Sequence, residues 1–438
     1  MKSKKIFQVI LCLTLILSSC KASEDLNDTS NKPIPDENLD SGYTVTCLEK
    51  KPDDTKSFGT KMAVSDDYLA VSDYKANKVV IYTRSSDDTW QRKHEIYPPE
   101  NTNTEKSGYV FAYDLAINND ILIIKSSTDY RKLINTRSQK LAELYAVSLS
   151  NQEGDLILKK ISYPEPEKTS ITSLTFLEEN IAFAARTISD GGKGVNRVYI
   201  MNPISGEIVN TIESPEIQYP HNLVNIENRF RVDLGVQNNS LITAITGGLK
   251  RYWDNSIFLF SADGQPEKII FDQEIVDGKL PNDPTLLSSI NYDISAFATS
   301  DKLMAIGRHQ NGDQNTLIFT GFPEISQFKI IQPSGVLDVD KSQVLISYRI
   351  STNSFSSQRK GDSDLTLVGL KDNKIKVKSE INWERGDIRP DSFSYFDVTL
   401  GKLGEQGLFA SGRGTVVYLP FKDLPEKYEI KLTVCGEQ

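Results

Sequence analysis

A chain that keeps returning to one short pattern must bury each copy of it against the next. Here the pattern is a short apolar segment, a small polar turn and a second apolar segment, and it recurs from residue 58 onward. The stretch Ser57 to Tyr82, SFGTKMAVSDDYLAVSDYKANKVVIY, shows it most clearly. Met62-Ala63-Val64, the turn Ser65-Asp66-Asp67 and Tyr68 to Val71 set the template. Leu115 to Ile117 with Ile121 to Ile124 repeat it, as do Leu174 to Phe176 with Ile181 to Ala184 and Leu234 to Val236 with Leu241 to Ile245. Ala296 to Ala298 with Leu303 to Ile306 and Val336 to Val339 with Val344 to Ser347 follow. Val398 to Leu400 with Leu408 to Ala410, around a longer Gly-rich turn, make the seventh copy. Runs this short, bounded by Asn, Asp, Ser and Gly, predict strands joined by tight turns rather than helices.

Each copy is followed by a third strand and usually a fourth, for example Lys78 to Tyr82, Leu144 to Leu149, Arg197 to Met201 and Val416 to Leu419. Turn residues such as Asn202-Pro203-Ile204-Ser205-Gly206 join the outer pair. Units of about four strands at irregular spacing predict an all-β fold, a β-propeller of about seven blades spanning residues 43–438. Tyr43 to Cys47 precedes the first copy and Tyr428 to Cys435 follows the last. Both read as strands that close the ring by completing a blade across the two ends.

The first copy resembles the FG-GAP repeat of integrin-α-type propellers: Phe58-Gly59 stands at its FG, and Lys78 to Tyr82 matches its following strand. Ser72-Asp73-Tyr74 replaces the GAP, and the other copies lose the FG. The segment Tyr199 to Ile212 resembles outer hairpins of quinoprotein-like propellers and implies a blade, not a quinone.

The N-terminus carries a cationic segment, Met1 to Lys5, then an apolar run, Ile6 to Leu17, too short for a comfortable membrane span. It ends in Leu17-Ser18-Ser19-Cys20, which resembles the lipobox of bacterial lipoproteins. That resemblance implies a signal peptide over 1–19, lipidation at Cys20 and a cell-envelope address. Lys21, rather than Asp, after the cysteine implies the outer membrane, with either leaflet open. Residues 20–42 are polar and hold Pro33 and Pro35, the composition of a flexible tether. With Cys12 in the signal and Cys20 lipidated, Cys47 and Cys435 remain. In an exported, oxidising setting they are expected to form a disulfide, with two free thiols as the alternative.

Apolar residues at 38% and charged residues at 25% fit a body with a moderate core, and a net charge of −9 opposes binding to phosphate backbones. No nucleic-acid partner is expected. The FG-GAP resemblance raises calcium, but no Asp-x-Asp-x-Asp-Gly loop is present. Asp338-Val339-Asp340 and Asn311 to Asn315 offer too few oxygens for a calcium shell. The three histidines, His94, His221 and His309, show no metal spacing, and nucleophile-elbow, phosphate-loop and dinucleotide motifs are absent. No catalytic residue, metal ligand or cofactor is therefore assigned, calcium being the one cofactor left open.

Aligning the copies on the residue before the first strand collects Lys61, Asp114, Ser173, Asp233, Asp293, Asp338 and Asp397. If the first strands line a central channel, these positions form a ring near one mouth, with Lys61 as its counter-charge. Such carboxylates either focus a cation or basic ligand, or act as repeated caps on inter-blade backbone. The densest aromatic and basic loop is Lys250-Arg251-Tyr252-Trp253, residue types favoured at binding hot spots. Arg349 with Phe355, and Trp383-Glu384-Arg385, are similar. The expected function is a non-catalytic binding or scaffold propeller for an envelope protein or glycan. The alternatives are a lactonase- or lyase-like enzyme using the channel carboxylates, and a structural subunit of an outer-membrane assembly.

Overall fold

The computed structural model describes the strands and short turns between residues 43 and 430. Residues 1–42 and 431–438 lie outside it, as do the connections 51–57, 101–108, 129–141, 151–155, 189–193, 214–230, 261–265, 272–292, 321–326, 348–364, 384–399 and scattered runs of one to three residues. The signal, Cys20 and the tether fall in the first of these segments, and Cys435 in the second. Among the described residues no helix is long and apolar enough to cross a membrane.

The described strands form antiparallel hairpin series, with two exceptions, the first strand and the last. The first strand, β1 (Thr46–Lys50), is set aside until its partner appears. Sheet A is β2 (Phe58–Val64), β3 (Tyr68–Asp73), β4 (Lys78–Arg84) and β5 (Trp90–Ile96). Sheet B is β6 (Tyr109–Asn118), β7 (Ile121–Thr128), β8 (Glu143–Ser148) and β9 (Lys159–Ile161). Sheet C is β10 (Thr169–Leu177), β11 (Asn180–Ile188), β12 (Gly194–Met201) and β13 (Ile208–Glu213). Sheet D begins with β14 (Arg231–Gln237) and β15 (Ser240–Thr246). A small hairpin, β16 (Gly248–Leu249) with β17 (Tyr252–Trp253), is inserted before β18 (Ser256–Phe260) and β19 (Pro266–Phe271) complete that sheet. Sheet E is β20 (Asp293–Thr299), β21 (Leu303–Gln310), β22 (Asp313–Thr320) and β23 (Gln327–Ile331). Sheet F is β24 (Gly335–Asp340), β25 (Gln343–Ser347), β26 (Leu365–Lys371) and β27 (Lys374–Trp383). Sheet G holds β28 (Leu400–Leu403), β29 (Gly407–Gly412) and β30 (Thr415–Pro420), and the last strand is β31 (Lys427–Ile430).

Six sheets, A to F, are thus blades built from one continuous stretch each. The seventh copy is not self-contained: it supplies only β28 to β30, and β1, from the other end of the described stretch, pairs antiparallel with β30 as the fourth strand. The terminal strands do not meet in one sheet either. β31 runs parallel to β27 and widens sheet F to five strands, while β1 belongs to G. The two ends of the described stretch still touch: the Tyr43 and Tyr428 rings are 4.9 Å apart, and the Tyr43 hydroxyl donates to the Pro420 carbonyl at 2.5 Å.

First strands stand side by side in the order β2, β6, β10, β14, β20, β24, β28 and back to β2. Second strands are buried on both faces because each sheet packs between two others. Leu69, Val71, Val80 and Tyr82 meet Phe409, Val416 and Tyr418 of sheet G, while Ala70 and Ile81 meet Phe111, Leu122 and Ile124 of sheet B. Similar seams join B with C, C with D, E with F and F with G. This two-sided burial is why the second strands read as near-continuous apolar runs, ILIIK or NIAFAA, instead of alternating ones.

Candidate functional site

The inner strands carry the candidate ring, and register fixes the level of each member. Counting on the second strand from the pair that closes each inner turn, the partners of Asp114, Ser173 and Asp233 all lie four residues on (Lys125, Ala184 and Ala244). Lys61 is level with them, its N–H bound by Ser72 Oγ at 2.9 Å. Asp338 pairs with Leu345, two residues from its turn, and Asp293 pairs with His309, six residues from its own. Two residues of strand span about 7 Å, so the candidates occupy three tiers instead of one ring. Asp397 lies outside the described residues. Lys402, paired with Phe409, holds the tier of Asp338 on the neighbouring inner strand.

The side chains explain the tiers. Asp338 is buried at 8% exposure, and both of its oxygens are used across the seam between sheets F and G. Oδ2 accepts the Leu403 N–H at 2.8 Å, and Oδ1 takes the Lys402 ammonium at 2.7 Å. Burial works to lower the pKa of Lys402. The charge and hydrogen bond of Asp338, with Asp114 and Asp340 further off, outweigh it and hold the pKa above its ordinary value. Burial raises the pKa of Asp340, and the like charge of Asp338 adds to the shift. Asp114 faces the buried Lys125 at 3.5 Å, and that ammonium also lies 5.4 Å from the centre of the Tyr113 ring. Ser173 Oγ accepts the Leu234 N–H of the next sheet at 3.2 Å, the same seam contact in neutral form.

Of the two roles open to these positions, Asp338 and Ser173 take that of inter-sheet caps. The counter-charge expected of Lys61 is supplied to Asp338 by Lys402, and the Lys61 side chain itself is exposed. Among the described residues, no three His, Cys, Asp or Glu side chains converge as a metal shell would require. A cation at Asp338-Val339-Asp340 would have to displace the Lys402 ammonium.

A second set of seam contacts lies at the inner turns. Ser65 Oγ donates to the Asn119 carbonyl at 2.8 Å, Asn118 Nδ2 to Glu178 O at 2.5 Å, and Ser300 Oγ to Lys341 O at 2.6 Å. In each case a residue at the end of one inner strand, Asn118 as its last residue and Ser65 and Ser300 directly after it, clasps the first turn residue of the next sheet. The accepting residues, Asn119, Glu178 and Lys341, have φ of 50°, 54° and 45°, the left-handed first position of a tight hairpin turn. The sequence signal for this clasp is a Ser or Asn directly before the acidic turn, which the repeat alignment passed over.

The expected binding loop is only partly described. Tyr252 and Trp253 form β17 and pair with Leu249 and Gly248, so they sit on a hairpin between the second and third strands of sheet D. Lys250 and Arg251, at its turn, fall outside the described residues.

No protein-family model matches this chain, and no curated protein matches it. Among solved structures, the Dos1 propeller aligns over 85% of this chain and 70% of its own at 12% identity, TM-score 0.38. The β-propeller domain of the trilobed protease from Pyrococcus furiosus, which has an open velcro topology, aligns over 76% and 97% at 12% identity, TM-score 0.33. The acylaminoacyl peptidase of Pyrococcus horikoshii aligns over 76% of this chain and 54% of its own at 10% identity, TM-score 0.35. The strand order itself defines the class: an all-β propeller of radially arranged four-stranded sheets.

Proposed function

We propose that this protein is a lipid-anchored binding or scaffold propeller of the cell envelope, with a ring of seven blades closed where β1 joins β30. Its partner is an envelope protein or glycan. One observation carries the non-catalytic reading: the carboxylates best placed for channel chemistry are already committed. Asp338 is held by Lys402 and the Leu403 N–H, and Asp114 faces Lys125. A carboxylate in that state is a poor general base, because its charge is neutralised and its lone pairs are occupied. The lipobox-like Leu17 to Cys20 supports the anchor, and the lysine that follows supports the outer membrane. Recognition then falls to surface loops, with the Tyr252-Trp253 hairpin as the foremost candidate. No metal or cofactor is part of this reading.

The test uses the full chain, captured from detergent-solubilised membranes after in situ cross-linking. Replacing Tyr252 and Trp253 together by Ala should abolish a specific cross-linked partner, while Asp114→Asn leaves it in place. Hydrolysis or elimination on a panel of lactones and uronate glycans, abolished by Asp114→Asn, would overturn the reading. Cys20→Ser should release the protein from the membrane fraction, and unchanged fractionation would defeat the anchor.

A further inference from the structure

A lysine amine attacks other molecules only in its neutral form, and water keeps it protonated unless the surroundings displace that water without supplying a counter-charge. Lys78, Lys125 and Lys402 are withdrawn from solvent, but each is answered by a carboxylate: Glu95, Asp114 and Asp338 respectively. Lys378 on β27 is withdrawn as well, half-buried, and it lacks that answer. Among the described residues no acid lies within ion-pair distance of it. Glu380, two residues on, is directed to Lys427 of β31 at 3.9 Å.

The backbone explains the position. Leu367 of β26 pairs with Ser379 and Val368 with Val377, so Lys378 is the extra residue of a bulge and faces no partner across the ladder. A bulge re-aims the side chain it carries. Here the side chain folds back over Gly369 of β26. A Cβ on that glycine would lie 2.8 Å from Lys378 Cδ and 2.7 Å from Nζ, and would overlap Cε. Gly369 is buried, and alternation along β26 puts it on the face of Leu365 and Leu367, which pack in the seam with sheet G. The amine thus rests on backbone bared by glycine, beside an apolar seam. Burial holds its pKa below the ordinary lysine value, and no opposing charge restores it. Lys374 and Lys376, on the same strand, are exposed.

We propose that Lys378 is a reactive amine, a site at which this chain is modified covalently by a small neutral aldehyde. The nitrogen lone pair attacks the carbonyl carbon, and the C=O π pair moves onto oxygen as the C–N bond forms. Both amine protons then leave with that oxygen as water, and a C=N bond remains. The step is neither an oxidation nor a reduction, and it needs no group besides the lysine and the aldehyde. The apolar seat favours a neutral electrophile over an anionic one, because it offers carbon surface beside the amine.

Competitive labelling of the purified full chain tests this. Limiting butanal with cyanoborohydride at neutral pH traps each imine as a stable secondary amine, and peptide mass spectrometry gives the rate at each lysine. Lys378 should react at least about threefold faster than its exposed neighbours Lys374 and Lys376. Gly369→Ala should displace the flexible end of Lys378 into water and bring its rate down to theirs, with the rates of Lys374 and Lys376 unchanged. A wild-type rate at Lys378 no higher than at Lys376 would overturn the proposal, and that comparison decides it even where the variant does not fold. Fast labelling that persists in a folded Gly369→Ala variant would overturn it too.

Discussion

Asp338 shows what a single carboxylate does in this architecture. Replacing it by Asn keeps an acceptor for the Leu403 N–H but leaves Lys402 without its counter-charge. The expected loss is about 1–3 kcal/mol by denaturant unfolding, and Asp338→Asn with Lys402→Met should recover part of it. The linkage has a definite sign. The folded pKa of Lys402 is raised, so its contribution is full below the unfolded lysine value and is lost as pH rises through the folded one. Glu95 provides the opposite case at the seam where β1 meets sheet A. Burial pushes its carboxyl up, but hydrogen bonds from Lys78 and Tyr97 and the charges of Lys78 and Arg92 bring it down to about 2. Its contribution is therefore present above the ordinary glutamate pKa and lost as pH falls toward 2. Glu95→Gln should flatten the acid limb of the stability profile, and an unchanged limb would show that the pair is screened out. Gly59, the glycine of the FG dipeptide, has φ of 80°, and an added Cβ would lie 2.7 Å from that of Ser411. Its carbonyl accepts the Ser411 hydroxyl at 2.7 Å. Gly59→Ala should cost at least about 1–2 kcal/mol from the backbone alone.

At the scale of the hairpin, the inner turns fasten one sheet to the next. Ser65→Ala, Asn118→Ala and Ser300→Ala should each destabilise by about 0.5–1.5 kcal/mol, with no change in secondary structure by circular dichroism. Glu178→Asn should act the other way by a few tenths of a kcal/mol, because Asn tolerates the left-handed turn position better than Glu. Paired thermal melts of Glu178→Asn and Asn118→Ala separate the turn's conformation from its clasp. The strands and turns were legible in the sequence because apolar runs broken by Asn-Asn-Asp or Asp-Asp need no tertiary information. The tiers were not. Bulges between Val110 and Asp114, Ile294 and Ala296, and Val336 and Asp338 shift register inside the inner strands. A one-residue slip changes which face or level a side chain occupies, and nothing in the local spacing announces it. Lys402 escaped for the same reason: the alignment placed Asp397 in its copy, while the strand that bears the tier begins at Leu400.

For the whole molecule, the question is how an array of sheets holds its ends. Antiparallel order puts the first residue of β1 beside the end of β30, at the same end of the sheets as the inner turns. β31 enters sheet F by a parallel pairing that a hairpin cannot make, so its position depends on contacts beyond the local chain. Tyr43, Val45, Tyr428 and Ile430 meet in one apolar cluster with Leu337, Leu345 and Leu419, which joins both chain ends to sheets F and G. Cys47 follows Val45 by two residues on the N-terminal side of that cluster, and Cys435 follows Ile430 on the C-terminal side. A bond between them would close nearly the whole body into one covalent loop. Loops of that size give disulfides their largest entropic effect, about 2–5 kcal/mol. If the bond forms, the protein should run faster on a non-reducing gel than after reduction, and Cys47→Ser or Cys435→Ser should lower the melting temperature by the same amount as reduction. Equal mobility with and without reductant, together with two alkylatable thiols, would mean that the apolar cluster and the Tyr43–Tyr428 contact hold the ends alone.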